Sequence, residues 1–393
     1  MNKRIIYFPL EPYKERYTVQ LSADQGGWLT SRWRENGVPF AYIKGDSLNN
    51  DKQIKNGSVL DSNARGAWAC SQIANFLRLY EKGEFDHNNS VIYFDDFWHP
   101  GIEALAYTFH VTGRKIPMYA MLHAQSVDIF DFTYPMRNWM RHFEKGIGEI
   151  LDGIFVTSTI LKDLCLEHGV GNQDNLFIAG LPYNSKMVCT QFFPETLPMK
   201  KRQVVFSSRL DWEKNPLFFL QVASKVKLID PSINFVFTTS SSEIRSNEPA
   251  IQKMFDSMNP GLVEVRKNQT KAEYYHTLLE SQVQFNCAYQ DFVSWTLLES
   301  LTCRCNPVFP FFRSFPEVLP YECMYTPENV DDAVRLVLQS MDKEFDMSLL
   351  TIVSDFDSSW KRMYDFMNTP KPLRFSVKPL RDDSRMAMLL NVK

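Results

Sequence analysis

Short apolar segments alternate along this chain with longer amphipathic ones, a pattern typical of parallel sheets covered by helices. The short segments are rich in β-branched and aromatic residues, as buried parallel strands are. A first series ends before residue 180, and a second series begins after residue 202. We therefore predict an α/β chain with two doubly wound, Rossmann-like domains that face a central cleft. The predicted strands are 4–8, 39–43, 91–95, 118–122, 153–157 and 176–179, followed by 203–207, 234–238, 262–265, 282–287 and 307–309.

The same pattern divides the chain into four parts. Prolines and a basic end between residues 181 and 202 favour an interdomain linker, which we assign to 186–202. The first domain then covers 1–185, with a helix over most of 13–35, and the second covers 203–355. The remainder, 356–393, is predicted to hold a late helix near 360–367 and a basic tail.

Two cations follow the first strand of the second domain. Arg209 and Lys214 lie on the predicted loop between that strand and a helix that begins at Asn215 and Pro216. Open α/β sheets bind ligands at the carboxyl ends of their strands. A planar guanidinium and a mobile ammonium suit a diphosphate, so we predict that both bind one. The alternative is a pair of solvated surface cations.

Two acids, separated by seven intervening residues, follow another predicted strand. Ser294 is a predicted N-cap, and the N–H groups of residues 295–297 would then point at a phosphate, which adds Trp295 and Thr296 to the predicted donor site. Glu299, one turn further, is placed to accept hydrogen bonds from ribose hydroxyls, and Asp291 is placed to face a sugar ring. The alternative is an ordinary acid pair that the helix dipole favours.

Polar side chains also follow strands of the first domain. A hydroxyl acceptor needs a base, and Asp95, Asp96 and His123 are the candidates. Because adjacent side chains on an extended segment point in opposite directions, one aspartate is expected to cap the next helix while the other faces the cleft. A histidine at a strand end is also common as a structural hydrogen-bonding residue. The candidate acceptor-binding residues are Glu11, Lys14, Arg16, Trp98 and His99.

The second-domain motifs resemble the donor site of family 4-type GT-B glycosyltransferases, namely an acid, seven residues and a glutamate, preceded by an Arg-x4-Lys loop. Asp291 replaces the usual first glutamate, and Phe292 and Ser294 replace the usual glycines. Residues 300–308 and 315–318 continue the similarity. The resemblance implies the GT-B fold, a UDP-linked sugar donor, no metal or other cofactor, and His123 against the sugar. Retention of configuration is expected from it, although the altered loop leaves the stereochemical outcome open.

Residues 8–17 and 93–105 resemble glycosyltransferases of tailed bacteriophages, which attach glucose or arabinose to hydroxymethylated pyrimidines. This resemblance implies double-stranded hydroxymethylated DNA as a partner. Segments 305–310 and 315–320 are similar to GT-B enzymes that mannosylate a modified tRNA base. A saccharide, lipid or tRNA acceptor is therefore the alternative, and a noncatalytic binding module is another. Aromatic residues on predicted loops of the first domain could stack on a base, and they include Phe97, Trp98, Phe130, Phe132 and Tyr134. The alternative is that most of them pack in the hydrophobic core.

Length, charge and composition limit the number of domains, the partners and the cellular location that the chain can have. A chain of 393 residues fits two domains, and a net charge of −3 argues against indiscriminate nucleic-acid binding without excluding a local groove. Basic residues outnumber acids over 361–385, which is more typical of a solvated tail. Seven cysteines without framework spacing indicate reduced thiols. No apolar run is long enough for a membrane span or signal peptide, so we predict a cytoplasmic protein, in the host cytoplasm if a phage encodes it.

Overall fold

A computed structural model describes residues 3–12, 17–37, 39–48, 62–123, 125–244, 246, 248–259 and 261–369. Two of the candidate acceptor-binding residues, Lys14 and Arg16, lie outside these ranges, as does most of the basic 361–385 stretch. The described chain forms two six-stranded sheets in which every strand pair is parallel. The prediction of an α/β chain with two doubly wound domains is confirmed.

The first lobe is the sheet with strand order β2-β1-β3-β4-β5-β6 and its helices. Strands β1 and β3 pair from Arg4 with Ser90 to Phe8 with Phe94, so both end at the same edge of the sheet. The elements are β1 Arg4–Phe8, α1 Tyr17–Asn36, β2 Phe40–Tyr42, α2 Ser62–Glu81, β3 Ser90–Phe94, α3 Ile102–Thr112, β4 Met118–Met121, α4 Arg137–Ile150, β5 Gly153–Val156, α5 Thr159–His168, β6 Leu176–Ile178 and α6 Ser185–Phe192.

The second lobe is the sheet with strand order β12-β11-β10-β7-β8-β9 and its helices. Its chain order reverses between β7 and β10, and open α/β sheets bind ligands in the crevice at such a switch point. The elements are β7 Lys201–Phe206, α7 Pro216–Ile229, β8 Asn234–Thr238, α8 Pro249–Asp256, β9 Glu264–Arg266, α9 Lys271–Glu280, β10 Ser281–Phe285, α10 Trp295–Thr302, β11 Asn306–Pro310, α11 Phe315–Val318, β12 Met324–Tyr325, α12 Val330–Met341, α13 Leu350–Asp357 and α14 Ser359–Asn368.

The segment predicted as a linker contains a helix. The side chain of Asn184 caps α6 by accepting a hydrogen bond from the Met187 N–H at 3.0 Å, and Val188 is fully buried on the inner face of the helix. Strand β7 begins at Lys201, so the basic end of the predicted linker belongs to the sheet. The prolines of this segment lie outside α6 and therefore did not prevent a helix.

The last described helix, α14, lies against the sheet of the first lobe. The ring of Phe366 lies 4.3 Å from that of Phe177 and 5.6 Å from that of Phe155, and Trp360 meets Tyr93 edge-on at 5.7 Å. Gly153 permits this approach, because a Cβ there would lie 2.8 Å from the Phe366 ring. The carboxyl-terminal part of the described chain thus completes the hydrophobic core of the lobe where the chain begins.

Candidate active site

The two charged motifs of the second lobe meet at its switch point. Strands β7 and β10 pair directly, so the loops that follow them leave the sheet side by side. The Lys214 ammonium lies 3.6 Å from Asp291 Oδ1 and donates to the Gln290 carbonyl oxygen at 2.5 Å. The Tyr289 N–H donates to the Glu213 carbonyl at 2.8 Å. Backbone and side-chain contacts thus join the Arg-x4-Lys loop to the loop that carries the first acid.

Arg209 is held by acids of its own loop. Its guanidinium donates to Asp211 Oδ2 at 2.5 Å and to Glu213 Oε1 at 2.7 Å. The Glu213 side chain is buried, whereas 43% of the Arg209 side chain is exposed. A bound diphosphate would therefore compete with these carboxylates for the guanidinium, since charged phosphate oxygens accept the same paired hydrogen bonds.

Glu299 is fixed by three side chains of helix α9. Tyr274 donates its hydroxyl to Oε2 at 2.7 Å, and Tyr275 donates to Oε1 at 2.8 Å. The ammonium of Lys271 lies 3.4 Å from Oε1. Burial, together with the Glu299 charge, raises the pKa of both tyrosines, so both remain protonated donors. Oε2 retains a lone pair for a further donor such as a ribose hydroxyl.

The first turn of α10 differs in part from the prediction. Ser294 occupies the N-cap position, but its hydroxyl pairs with that of Thr296 at 2.7 Å and caps no N–H. The Leu297 N–H donates to the Ser294 carbonyl at 3.1 Å, so the expectation that this N–H faces a ligand is wrong. The Trp295 ring packs edge-on against Tyr183, 5.5 Å away. The preceding Val293 has a φ of 106°, which is a strained conformation for a β-branched residue.

His123, the candidate base, is oriented by the backbone of the first lobe. Its Nε2 lies 2.7 Å from the carbonyl oxygen of Asp95. A carbonyl only accepts, so Nε2 carries the proton and Nδ1 is the basic nitrogen. Burial lowers the pKa of His123, which keeps the ring neutral. This geometry is compatible with proton acceptance at Nδ1.

The two aspartates after β3 have internal partners instead of the expected roles. Asp95 Oδ2 accepts hydrogen bonds from the Tyr7 hydroxyl at 2.6 Å and from the Leu10 N–H at 3.0 Å. Asp96 pairs with Arg65 through Oδ2, and its Oδ1 accepts from the Trp98 N–H at 3.0 Å. Helix α3 has Gly101 at its N-cap position and no side-chain cap. Neither aspartate therefore caps that helix, and Asp95 is only 1% exposed.

Three predicted acceptor-binding residues also have internal partners. Glu11 is buried and accepts a hydrogen bond from Ser47, and the Trp98 indole donates to Glu144 Oε1 at 3.0 Å. His99 pairs with Gln72 at 3.0 Å, and burial lowers its pKa to about 3. These side chains stabilise the loops after β1 and β3. The cavity that they help to line has a volume of about 20 Å³, which is space for one water molecule and not for a sugar or a base.

A larger cavity, of about 370 Å³, opens at the opposite edge of the second sheet, by the amino ends of β7 and β10. Several basic side chains line it, but Arg202 is paired with Asp230 and Asp342, and Lys201 is paired with Glu280. Lys200 donates to carbonyl oxygens of residues 281 and 303. This cavity is remote from both charged motifs and shares none of their residues.

Two further properties of the described ranges bear on function. Among the described residues, no group of three or more His, Cys, Asp or Glu side chains is placed to hold a metal ion. Within the same part of the chain, no helix combines the length and apolar character that crossing a membrane requires.

Comparisons with known proteins assign the fold. No family model matches the chain. A Drosophila melanogaster tRNA-queuosine alpha-mannosyltransferase is 24% identical over 135 residues, which are 34% of this chain and 35% of that protein. The chain thus matches only about a third of the length of this curated relative.

Solved structures extend the likeness over the whole fold. A glycosyltransferase from Rickettsia africae ESF-5 superposes with a TM-score of 0.62 at 10% identity, covering 94% of this chain and 100% of that one. A mutant of S. aureus TarM, in complex with Fondaparinux, alpha-GlcNAc-glycerol and UDP, gives a TM-score of 0.55 at 15% identity, covering 76% of this chain and 59% of that one. The chain has the GT-B fold of these structures.

Proposed function

We propose that this chain is a glycosyltransferase that moves a sugar from a UDP-linked donor to a hydroxyl group on a modified nucleobase. The observation that carries the proposal is the contact between Lys214 and the 289–291 loop, which joins an Arg-x4-Lys loop to an Asp-x7-Glu motif at the switch point of the second sheet. The GT-B fold supports it, and so does the UDP bound by the structurally similar TarM mutant.

Each charged residue has a role in this proposal. Arg209 and Lys214 neutralise the diphosphate, whose charge increases as its bond to the anomeric carbon breaks. Glu299 accepts hydrogen bonds from the ribose, and Asp291 faces the sugar. A new bond forms between the anomeric carbon and the acceptor oxygen, and the acceptor proton passes to a base, for which His123 is the candidate.

A hydroxymethylated pyrimidine of DNA is our first candidate acceptor, on the resemblance of residues 8–17 and 93–105 to bacteriophage enzymes. The curated relative is named for a modified base of tRNA, which makes such a base the second candidate. Both are hydroxyl-bearing nucleobases. The hydroxymethyl group of a duplex pyrimidine is reached either through the major groove or after the base leaves its stack, whereas a base in a tRNA loop is accessible as a single strand.

A nucleotide-release assay tests the proposal. The protein is mixed with UDP-glucose, other UDP-sugars and GDP-mannose, each with hydroxymethylated duplex DNA, unmodified duplex DNA, tRNA or no acceptor. We expect UDP release that requires hydroxymethylated DNA. Release that requires tRNA selects the second candidate, and release that is equal under all four conditions contradicts a nucleobase acceptor.

Matched variants test the site itself. We expect Arg209→Ala to lower the rate by a factor of about 10² to 10³, the range typical of losing one charge-stabilising donor. Arg335→Ala is the control, because Arg335 is also paired with an acid but lies on the surface of α12. An undiminished rate in Arg209→Ala would refute the assignment of the diphosphate site.

A further inference from the structure

A segment of the first lobe reaches into the loops of the charged motifs. This junction segment, residues 128–133, lies between β4 and α4. It contacts the second lobe through two polar interactions and through several contacts of the Phe130 ring. Sequence position gives no sign of this, because the residues in contact are separated by 159 and 185 positions along the chain.

The first polar interaction is an ion pair between Asp128 and Arg313. The guanidinium lies 2.7 Å from Asp128 Oδ1, and only 13% and 1% of the two side chains are exposed. The guanidinium also lies over the rings of Phe130 and Phe292, 5.0 and 5.1 Å from their centroids. The pair is therefore shielded from solvent, and Phe292 belongs to the Asp-x7-Glu motif.

The second polar interaction leads directly to Lys214. Asp131 Oδ1 accepts hydrogen bonds from the N–H and hydroxyl of Thr133, which fixes the carboxylate within the junction segment. Its Oδ2 accepts from the Gln290 amide at 3.2 Å. The Gln290 carbonyl in turn accepts from the Lys214 ammonium at 2.5 Å. One residue of the second lobe therefore connects the first-lobe carboxylate to the predicted diphosphate ligand.

Aromatic contacts hold the junction segment against both donor loops at once. The Phe130 ring stacks on Tyr289 at 5.6 Å with an interplanar angle of 16°, and it lies 6.2 Å from Trp212. Trp212 precedes Lys214 on its loop, and Tyr289 precedes Asp291 on the other. A rigid aromatic cluster thus spans the lobe boundary beside the Lys214 ammonium.

We propose that the diphosphate site is assembled across the lobe boundary, with two positioning residues: Arg313 anchors the junction segment through Asp128, and Asp131 of that segment holds Gln290 and thereby Lys214. The inference rests on the proposed function, because it takes Lys214 as a diphosphate ligand. It assigns to the first lobe a role in nucleotide affinity, in addition to its proposed role in acceptor binding. Nucleotide affinity and contact between the lobes are therefore energetically coupled.

The charge of Asp131 allows its positioning role to be distinguished experimentally from a role in packing alone. Burial raises the pKa of Asp131 to about 6. The charged groups that face it are Asp128 on its own segment, the Lys214 ammonium, and beyond these Arg313 and Asp291. Ionisation of Asp131 strengthens the hydrogen bond that it accepts from Gln290 and places a negative charge facing the Lys214 ammonium. Nucleotide affinity should therefore fall when Asp131 becomes protonated below about pH 6.

Calorimetric titration of the full chain with UDP tests the inference. At pH 7.5 we expect Asp131→Ala and Arg313→Ala to weaken UDP binding at least tenfold, and Arg313→Lys, which lacks the planar fork, to weaken it by a smaller factor. The matched controls Asp163→Asn and Arg335→Lys change exposed side chains far from the segment and should bind as wild type. Thermal melts identify any variant that fails to fold.

A pH series with Asp131→Asn separates positioning from structural support. This variant keeps the shape and an acceptor oxygen but cannot ionise. Because a terminal phosphate such as that of UDP titrates at about pH 6, the informative quantity is the ratio of wild-type to variant affinity at each pH. We expect that ratio to exceed tenfold at pH 7.5 and to approach one at pH 5.

The outcomes distinguish the inference from the proposed function. Wild-type affinity in folded Asp131→Asn and Arg313→Lys overturns the inference and leaves the proposed function intact, as does a ratio that is constant with pH. A wild-type protein that binds neither UDP nor GDP overturns the proposed function, and with it this inference.

Discussion

At the residue scale, the carboxylate of Glu299 depends on neighbours that its own motif does not contain. Two tyrosine hydroxyls and one ammonium of α9 surround it, and only 4% of the residue is exposed. A buried carboxylate without such donors is strongly destabilising. The tyrosines therefore allow an ionised acid to sit at the start of α10, where a ribose would reach it.

We predict that Tyr274→Phe and Tyr275→Phe each lower the free energy of unfolding by about 1 to 3 kcal/mol, because each leaves a buried oxygen of Glu299 short of a donor. If Glu299 binds the ribose, both variants should also weaken UDP binding without changing pyrophosphate binding. Urea denaturation and calorimetric titration measure the two effects. Tyr321→Phe, at a side chain that is 75% exposed, is the control. An equal loss of UDP and pyrophosphate affinity would contradict a ribose-specific role for Glu299.

His99 gives a pH-dependent prediction. Its ring is buried between Phe8 and Phe94, and its pKa is lowered to about 3. The folded protein thus keeps His99 neutral at a pH where the unfolded chain binds a proton. Its contribution to stability is complete above about pH 6.5 and is lost as the pH falls toward 3, by at most roughly 5 kcal/mol.

We predict that His99→Phe, which keeps a ring but cannot titrate, flattens the acid side of the stability curve. The variant loses the hydrogen bond to Gln72, which lowers its free energy of unfolding at pH 8, and its difference from wild type shrinks as the pH falls because only the wild type loses the contribution of a neutral His99. Urea denaturation between pH 4.5 and pH 8 measures both curves. His110→Gln, at an exposed position, should keep the wild-type slope. Parallel curves for wild type and His99→Phe would show that His99 does not govern the acid side.

The sequence identifies some of these residues and not others for a physical reason. Arg209, Lys214, Asp291 and Glu299 lie at fixed spacings after strands, so the parallel sheet brings their loops together. The residues that hold them do not share this local signal, since Tyr274 lies 25 positions before Glu299. After β3 the sequence misleads in the opposite way. Asp95 lies at a strand end like the donor-site residues, but its carboxylate accepts a hydrogen bond from the buried Tyr7 hydroxyl, which its position in the sequence does not indicate.

At the element scale, helix α5 of the first lobe is capped by a residue of the second. Glu317 in α11 accepts hydrogen bonds from the N–H groups of Thr159 and Ile160 at 2.7 and 2.9 Å. The first N–H groups of a helix have no partner within it, and a negative charge there is also favoured by the helix dipole. Glu317 therefore stabilises α5 and links the lobes at the same time.

We predict that Glu317→Ala lowers the stability of the α5 amino terminus by about 1 kcal/mol, with a smaller effect for Glu317→Gln, which keeps an acceptor. Hydrogen exchange of the α5 amides measures this directly. Glu322→Ala removes an exposed acid outside α5 and serves as the control. Unchanged exchange of the α5 amides in Glu317→Ala would mean that the Ser158 cap is sufficient.

The sequence predicts the helices and strands whose positions are determined by burial alone. Parallel strands are covered on both faces, so their apolar runs are visible in the sequence, and all eleven predicted strands overlap observed ones. The sequence does not predict helix α6, because the prolines on either side of it are typical of a linker. The helix is stabilised by packing of Val188 in the core, which the local sequence does not show. Strand β12 has only two residues and pairs with β11 alone, which leaves no periodicity to detect.

At the scale of the whole molecule, the two lobes share a hydrophobic cluster. That cluster contains Tyr7 and Tyr93 of the first sheet, Leu297 and Leu301 of α10, and Trp360 of α14. The chain begins in the first lobe, forms the second, and returns to the first with α14. The stabilities of the two lobes are therefore linked. The carboxyl-terminal helix therefore belongs energetically to the first lobe.

We predict that Trp360→Ala lowers the free energy of unfolding of the first lobe by about 3 to 5 kcal/mol, because the buried indole packs on Trp28 and Tyr93 and its loss leaves a cavity. Hydrogen exchange of the amides in β1 and β3 is the measurement, since a two-lobe chain need not unfold in one step. Trp139→Ala, at a side chain that is 58% exposed, is the control.

The pattern of exchange decides how the lobes are joined. If α14 is part of the first lobe's core, the amides of β1 and β3 should exchange faster in Trp360→Ala, while those of β8 and β9, at the far edge of the second sheet, keep their rates. Faster exchange confined to α14 would mean that the helix is peripheral and that the first sheet is stable without it. Faster exchange in both lobes would mean that the shared cluster makes them one cooperative unit, in which case the contacts of the junction segment and of α14 act together.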